Sequence, residues 1–165
     1  MLRTWLGAFA LVAACFTGCR TETEIPPPPP RTSVVLRFRA APDMNPNDRG
    51  EATPLDVRVY QLKDKQAFTE AAFEELWTTD RVRLGSSLLG EPKVITFEPP
   101  AGDTAPMAHE LKLDPACQFL GLMGLFSAER KEGLEERKVA ITVNDGATKV
   151  IALTGHKVRI EDPAK

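Results

Sequence analysis

Between Pro54 and Leu76 the hydrophobic period changes from two to about four, and no other stretch limits the fold as strongly. Leu55, Val57 and Val59 alternate with Asp56, Arg58 and Tyr60, the pattern of a strand with one buried face. Downstream, Phe68, Ala72 and Leu76 recur every fourth residue with Phe73 beside them, while Glu70, Glu74 and Glu75 fall on the other side. That spacing predicts a short helix with one apolar stripe. A strand that feeds such a helix has to enter a sheet, and the helix has to dock on the flank or end of that sheet. Phe68 and Phe73 are the expected anchors of that docking.

Short alternating runs surround this element. Val34, Leu36 and Phe38 alternate with Val35, Arg37 and Arg39, which predicts a first strand ending at Ala40 or Ala41. After the helix, residues 81–90 read as a turn and a second short helical piece, and Val94 to Phe97 as a strand stopped by Pro99-Pro100-Ala101-Gly102. Met107, His109, Leu111 and Leu113 alternate with polar or small neighbours, so that strand has one wet face. Gln118 to Phe126 is apolar on both faces and should be central; Glu129 to Glu136 is a charged turn. Val139 to Val143, Asn144-Asp145-Gly146 and Val150 to Leu153 predict a hairpin, with Val158 and Ile160 adding a little more strand. Short strands with one helical interruption indicate a mainly β fold, a two-sheet β-sandwich with a small helical insertion after the second strand. At 165 residues and 42% hydrophobic content the chain can bury one ordinary core. The sandwich domain is expected over residues 34–162, with the helical insert at 65–90.

The N-terminus carries the most specific local signal. Arg3, an apolar run from Trp5 to Ala14 and then small residues and cysteines make an export signal over residues 1–18. The run is too short for a permanent membrane helix, which needs about 20 apolar residues. Val12-Ala13-Ala14-Cys15 and Phe16-Thr17-Gly18-Cys19 both resemble the acylation site of a bacterial lipoprotein. Cys19 is favoured, because its apolar run is longer, Gly precedes the Cys, and polar Arg20, Thr21 and Glu22 follow; Cys15 is the alternative, and an ordinary secreted protein the third reading. Several acyl chains on one N-terminal cysteine anchor stably, since each buried CH₂ contributes about 0.8 kcal/mol. Arg20 is not the Asp that retains many lipoproteins in the inner membrane, so the expected location is the outer membrane, facing the periplasm. Residues 19–33 hold five prolines, Pro26 to Pro30, which favour polyproline II and read as a stiff spacer rather than as a ligand for a proline-binding domain.

Residues 41–54 form a long loop with three prolines, two asparagines, two aspartates and a glycine, and with one apolar residue, Met44, expected at its tip. Such length and composition suit either a binding loop or a solvated insertion. A net charge of −2 argues against a nucleic-acid surface. No HExxH, CxxC, GxSxG or phosphate-cradling glycine loop is present, which leaves no expected metal or catalytic residue, no cofactor besides the covalent lipid, and no expected small-molecule substrate. His109 reads as a core or rim histidine, and Cys117 as a small buried apolar residue. If Cys15 is the acylated cysteine, Cys19 could instead pair with Cys117 in the oxidising periplasm.

The order of several segments carries a resemblance. Asn45-Pro46 in the long loop, PLDVRVYQLKDKQAF with Phe73 and Leu76 downstream, LGSSLLG, FEPP at 97–100 and CQFLGLMGLFSAER at 117–130 follow a lipoprotein signal. Together they resemble the outer-membrane lipoprotein of bacterial type VI secretion systems, the TssJ (SciN, VasD-like) family. The long proline tract, and Gly124 with Leu125 within a strand, depart from that pattern. The resemblance implies a transthyretin-like sandwich and a structural, non-enzymatic role: a lipid-anchored component holding the periplasmic C-terminal part of the inner-membrane protein TssM. It also implies contact through the loop after the first strand, which maps onto Asp43, Met44, Asn45, Asn47, Asp48 and Arg49. Met44 would supply an adaptable apolar contact and its neighbours polar ones. A periplasmic sandwich that binds a small ligand, or carries an unrecognised activity, is the alternative; a deep pocket with convergent polar groups would favour it.

Overall fold

The computed structural model describes residues 32–127, 133–143 and 149–161. The signal, both N-terminal cysteines, the proline tract and the Asn144-Asp145-Gly146 turn lie outside them. Among the described residues there are eight strands: β1 (Ser33–Ala40), β2 (Leu55–Leu62), β3 (Lys93–Phe97), β4 (Met107–Lys112), β5 (Phe119–Leu125), β6 (Lys138–Thr142), β7 (Val150–Thr154) and β8 (Lys157–Glu161). They make two four-stranded sheets, ordered β4-β1-β7-β8 and β3-β2-β5-β6. This is the mainly β, two-sheet sandwich that the alternating runs predict. Leu36 and Phe38 of one sheet meet Val57, Val59, Phe97 and Leu122 of the other in the main core, with the Phe38 and Phe97 rings 4.7 Å apart. His109 packs its edge against both of those rings at the rim of the core.

Two sequence expectations change. The predicted hairpin from Val139 to Leu153 does not form: β6 is the edge strand of one sheet, while β7 lies in the other, parallel to β1 and antiparallel to β8. Burial explains the choice. Val150, Ile151, Ala152 and Leu153 are all buried, so β7 needs a strand on both sides and a covered face, which a two-stranded ribbon cannot give. The true hairpin is β7–β8, turning at Gly155 with φ +51, where a side chain would be strained.

The predicted helix over Phe68–Leu76 is also split, into α1 (Gln66–Glu70) and α2 (Phe73–Leu84), while the second short helical piece expected within 81–90 is the end of α2 beyond its kink at Thr79 together with the 3-10 turn Gly85–Ser87. Ala72 is extended (φ −65, ψ 153), and its N–H donates to the Glu75 carboxylate at 2.8 Å, so the chain starts a new helix there instead of continuing the old one. Glu74 and Glu75 then sit in the first turn of α2, where the helix dipole favours negative charge. As a result Ala71, not Ala72, is the buried alanine. The helices cover the outer face of the β2–β5 pair and build a second, smaller core from Tyr60, Leu62, Phe68, Leu76, Leu84 and Met123. At its edge Tyr60 donates to the Leu76 carbonyl and to Asp80, each at 3.3 Å, and Arg58 pairs with Asp80 at 3.2 Å. Burial, with the Asp80 carboxylate beside it, pushes the Tyr60 phenol up to about 12, so it stays a neutral donor that fastens α2 to the sheet.

β5 packs closely on both of its faces because it carries glycines, Gly121 toward the second core and Gly124 toward the main one. A Cβ on Gly121 would lie 2.7 Å from the Phe68 ring, and one on Gly124 would lie 2.5 Å from the Phe126 ring. The glycines that depart from plain strand alternation are therefore slots for aromatic rings.

Candidate functional site

β1 and β2 belong to different sheets, so the 41–54 segment must first cross the sandwich, and that crossing accounts for part of its length. Its remaining length forms a fixed knuckle. Met44 is 0% exposed and lies in the main core, and Asn45 is 2% exposed. Neither sits at a surface where a partner could touch it, contrary to the expectation from the family resemblance. Met44 follows the hydrophobic effect inward, and Asn45 follows because its backbone is needed in the left-handed region, at φ +48, which Asn tolerates better than most residues. The Asn45 side chain donates from Nδ2 to the Pro54 carbonyl at 2.6 Å. Its Oδ1 accepts from the Ser127 N–H at 2.9 Å and from the Ser127 hydroxyl at 3.0 Å. One side chain thereby joins both ends of the loop to the exit of β5.

Above this base, Pro46 and Ala52 bridge as a one-pair ladder, and Thr53 donates from its hydroxyl to the Asn45 carbonyl at 2.6 Å. Asn47 Oδ1 accepts from the Arg49 and Glu51 N–H groups at 2.9 and 3.0 Å, and the Gly50 N–H donates to the Asn47 carbonyl. Gly50 has φ +79, the value this reversal requires. The result is a tight tip in which Asp48, Arg49, Gly50 and Glu51 are exposed. Asp43, also exposed, accepts from the Thr154 hydroxyl at 3.1 Å. Of the six loop residues proposed from sequence, then, Asp48 and Arg49 present exposed side chains at the tip, Asn47 shapes it, Asp43 flanks it, and Met44 with Asn45 hold it down.

Sequence reading misses the supports outside the loop. The β7–β8 turn lies against it: the Asn45 N–H donates to the Gly155 carbonyl at 2.7 Å, and His156 Nε2 donates to the Pro46 carbonyl at 3.2 Å. His156 in turn packs its edge on Phe126, 5.7 Å away. A glycine-histidine pair between two apolar runs is the available signal, and the predicted hairpin conceals it.

The described residues hold no cluster of His, Cys, Asp or Glu suited to a metal ion. A groove of about 440 Å³ runs between α1, α2 and β6, lined by Phe68, Phe73, Val139 and Lys138 among others. It is open to solvent, and the Lys138 ammonium in its lining already donates to the Phe68 and Thr69 carbonyls at 2.8 and 2.7 Å. Cys117 is a buried free thiol that donates to the Phe119 carbonyl at 3.3 Å. Burial raises its pKa, which leaves less thiolate at a given pH. Labelling by iodoacetamide at pH 8, followed at the Cys117 peptide by mass spectrometry, is expected to run more than about tenfold slower in the native protein than in urea. Equal rates would mean that the thiol is exposed.

Residues 32–157 match the family profile of the type VI secretion lipoprotein (VasD, EvfM, TssJ). No curated protein sequence matches the chain. Among solved structures, the type VI secretion lipoprotein TssJ1 from Pseudomonas aeruginosa superposes with a TM-score of 0.65 at 28% identity, over 84% of this chain and 100% of that one. A chain in a structure described as the type VI membrane complex gives a TM-score of 0.66 at 22% identity, over 79% and 98%. Another, in a structure described as the TssM C-terminal domain from EAEC, gives 0.64 at 21% identity, over 79% and 98%.

Proposed function

This chain belongs to the type VI secretion lipoprotein family, and we propose that it is anchored by acyl chains in the outer membrane and grips the periplasmic C-terminal region of a TssM-like inner-membrane protein through the tip of its 41–54 loop. It would act as a structural link between the two membranes, with no catalytic step of its own. The observation that carries this reading is the placement of that tip. β1 starts beside the end of β4, where Ser33 pairs with Lys112 and the Leu113 N–H donates to the Thr32 carbonyl. It then crosses the sandwich, roughly 25 Å for eight extended residues, and delivers the chain directly into the loop. In this reading the chain leading to the acylated cysteine enters at the first pole, which supports a knuckle presented away from the anchored membrane. A structure described as containing a TssM C-terminal domain holds a chain of this same fold, which supports the choice of partner.

Membrane fractionation with co-isolation tests both halves. A tagged wild-type chain, solubilised with detergent from outer membranes, is expected to bring down the TssM-like protein. Cys19→Ser is expected to leave the outer-membrane fraction, while Cys15→Ser stays. Release by Cys15→Ser alone would move the anchor to Cys15, and wild-type isolation without the inner-membrane protein would contradict the proposed link.

A further inference from the structure

We propose that the β7–β8 turn is a working part of the partner-binding surface: Thr154 and His156 hold the 41–54 loop in its presenting shape before any partner arrives. The inference rests on the proposed function, in which the loop tip makes the contact. Four bonds join this turn and the end of β7 to the loop. The Ala41 N–H donates to the Leu153 carbonyl at 2.8 Å, and the Asn45 N–H to the Gly155 carbonyl at 2.7 Å. The Thr154 hydroxyl donates to Asp43, and His156 Nε2 donates to the Pro46 carbonyl. The first two use backbone groups and survive side-chain substitution. The last two use side chains, and they meet the loop on either side of buried Met44 and Asn45, where it leaves the sandwich.

This arrangement makes the loop a preformed shape rather than a segment that orders on binding. When only a fraction of molecules holds the competent conformation, apparent affinity falls by that fraction. Removing a support therefore lowers the association rate, because fewer encounters meet a competent loop. Removing a tip contact acts mainly on dissociation. Thr154 and His156 are thus positioning residues, distinguishable from contact residues by which rate they change.

The test uses the full-length lipidated protein in detergent and the periplasmic C-terminal domain of the TssM-like protein as the probe, with rates read by biolayer interferometry. Thr154→Val with His156→Leu is expected to cut the association rate about tenfold or more, with dissociation near the wild-type value. Thr154→Ser with His156→Gln, which keeps both donors, is expected to restore it. Hydrogen exchange is expected to quicken at the Asn47 and Gly50 amides of the first variant, while β2 and β5 stay protected. Unchanged association, or unchanged loop exchange, would overturn the inference; so would a loss confined to dissociation, which would make these residues contacts. Asp48→Lys with Arg49→Glu serves as the separate control. If that tip variant binds normally, the reading of the tip as the contact has failed, and if it alone loses binding, the tip stands and the supporting role of the turn has failed.

Discussion

Gly121→Val is expected to destabilise the domain by about 3 kcal/mol and to lower its melting temperature by roughly 10 °C or more. Gly121 sits in the middle of β5, paired with Tyr60 on one side and Ala140 on the other, so the backbone there has little room to move. A Cβ would meet three atoms of the Phe68 ring between 2.7 and 2.9 Å, distances that packed carbon atoms do not tolerate. Either Phe68 leaves its site or α1 lifts from the sheet. Both outcomes open the second core, in which Phe68 is only 1% exposed. Overpacking alone costs about 1–3 kcal/mol, and loss of a buried Phe about 3–5, so the value falls where the two ranges meet. The cause can be separated from a general effect of β-branching. Phe68→Leu removes the ring that clashes, so the double variant is expected to be at least about 1 kcal/mol more stable than the sum of the single effects. Strict additivity in thermal or urea unfolding would mean that the ring slot is not what selects glycine.

The sandwich is legible in the sequence wherever a strand has one wet face. β1 and β4 alternate and their boundaries can be read almost to the residue; β2 alternates only from Leu55 to Val59, because the helices cover its other face at Tyr60 and Leu62. β5 is legible for the opposite reason, because an apolar run on both faces leaves only a central position. Pairing is less accessible. Asn144-Asp145-Gly146 is a good local turn signal, yet β7 joins β1 in the other sheet because its own two-sided burial demands two neighbours. A local preference worth a fraction of a kcal/mol does not outweigh burial of a four-residue apolar run. The helical insertion departs in the same direction. Four-residue spacing predicts one helix, but an N–H of Ala72 held by Glu75 starts a second one, and no periodicity records a cap of that kind.

The candidate site is half legible. Length, prolines and asparagines identify the 41–54 segment as unusual, but its exposed tip is Asp48-Arg49-Gly50 and not Met44. Met44 misleads because a lone apolar residue in a polar loop reads equally well as a contact or as an anchor. Only tertiary position decides, and here it lies in the main core. Asn45 misleads because an Asn in a turn is ordinarily a local device, whereas this one reaches Ser127, 82 residues away. These two placements also change how the loop must be tested. A Gly-Ser replacement across residues 43–49 would remove Met44 and Asn45 and so damage the core, which would confuse lost folding with lost binding.

The decisive variant therefore leaves the base intact and alters only Asp48 and Arg49. Both side chains are exposed, and the turn beneath them is held by Asn47 and Gly50, so Asp48→Lys with Arg49→Glu is expected to shift the melting temperature by no more than about 2 °C. A projecting tip that carries the contact places its few exposed side chains at the centre of the interface, where single residues commonly contribute about 2–4 kcal/mol. Calorimetric titration of the TssM-like periplasmic C-terminal domain into the detergent-solubilised, lipidated protein measures this directly. Saturable binding by the wild-type chain, weakened about 100-fold or more by the tip variant at unchanged stability, is the predicted result. Equal affinities for the two proteins, or no binding by the wild-type chain, would contradict the proposed link.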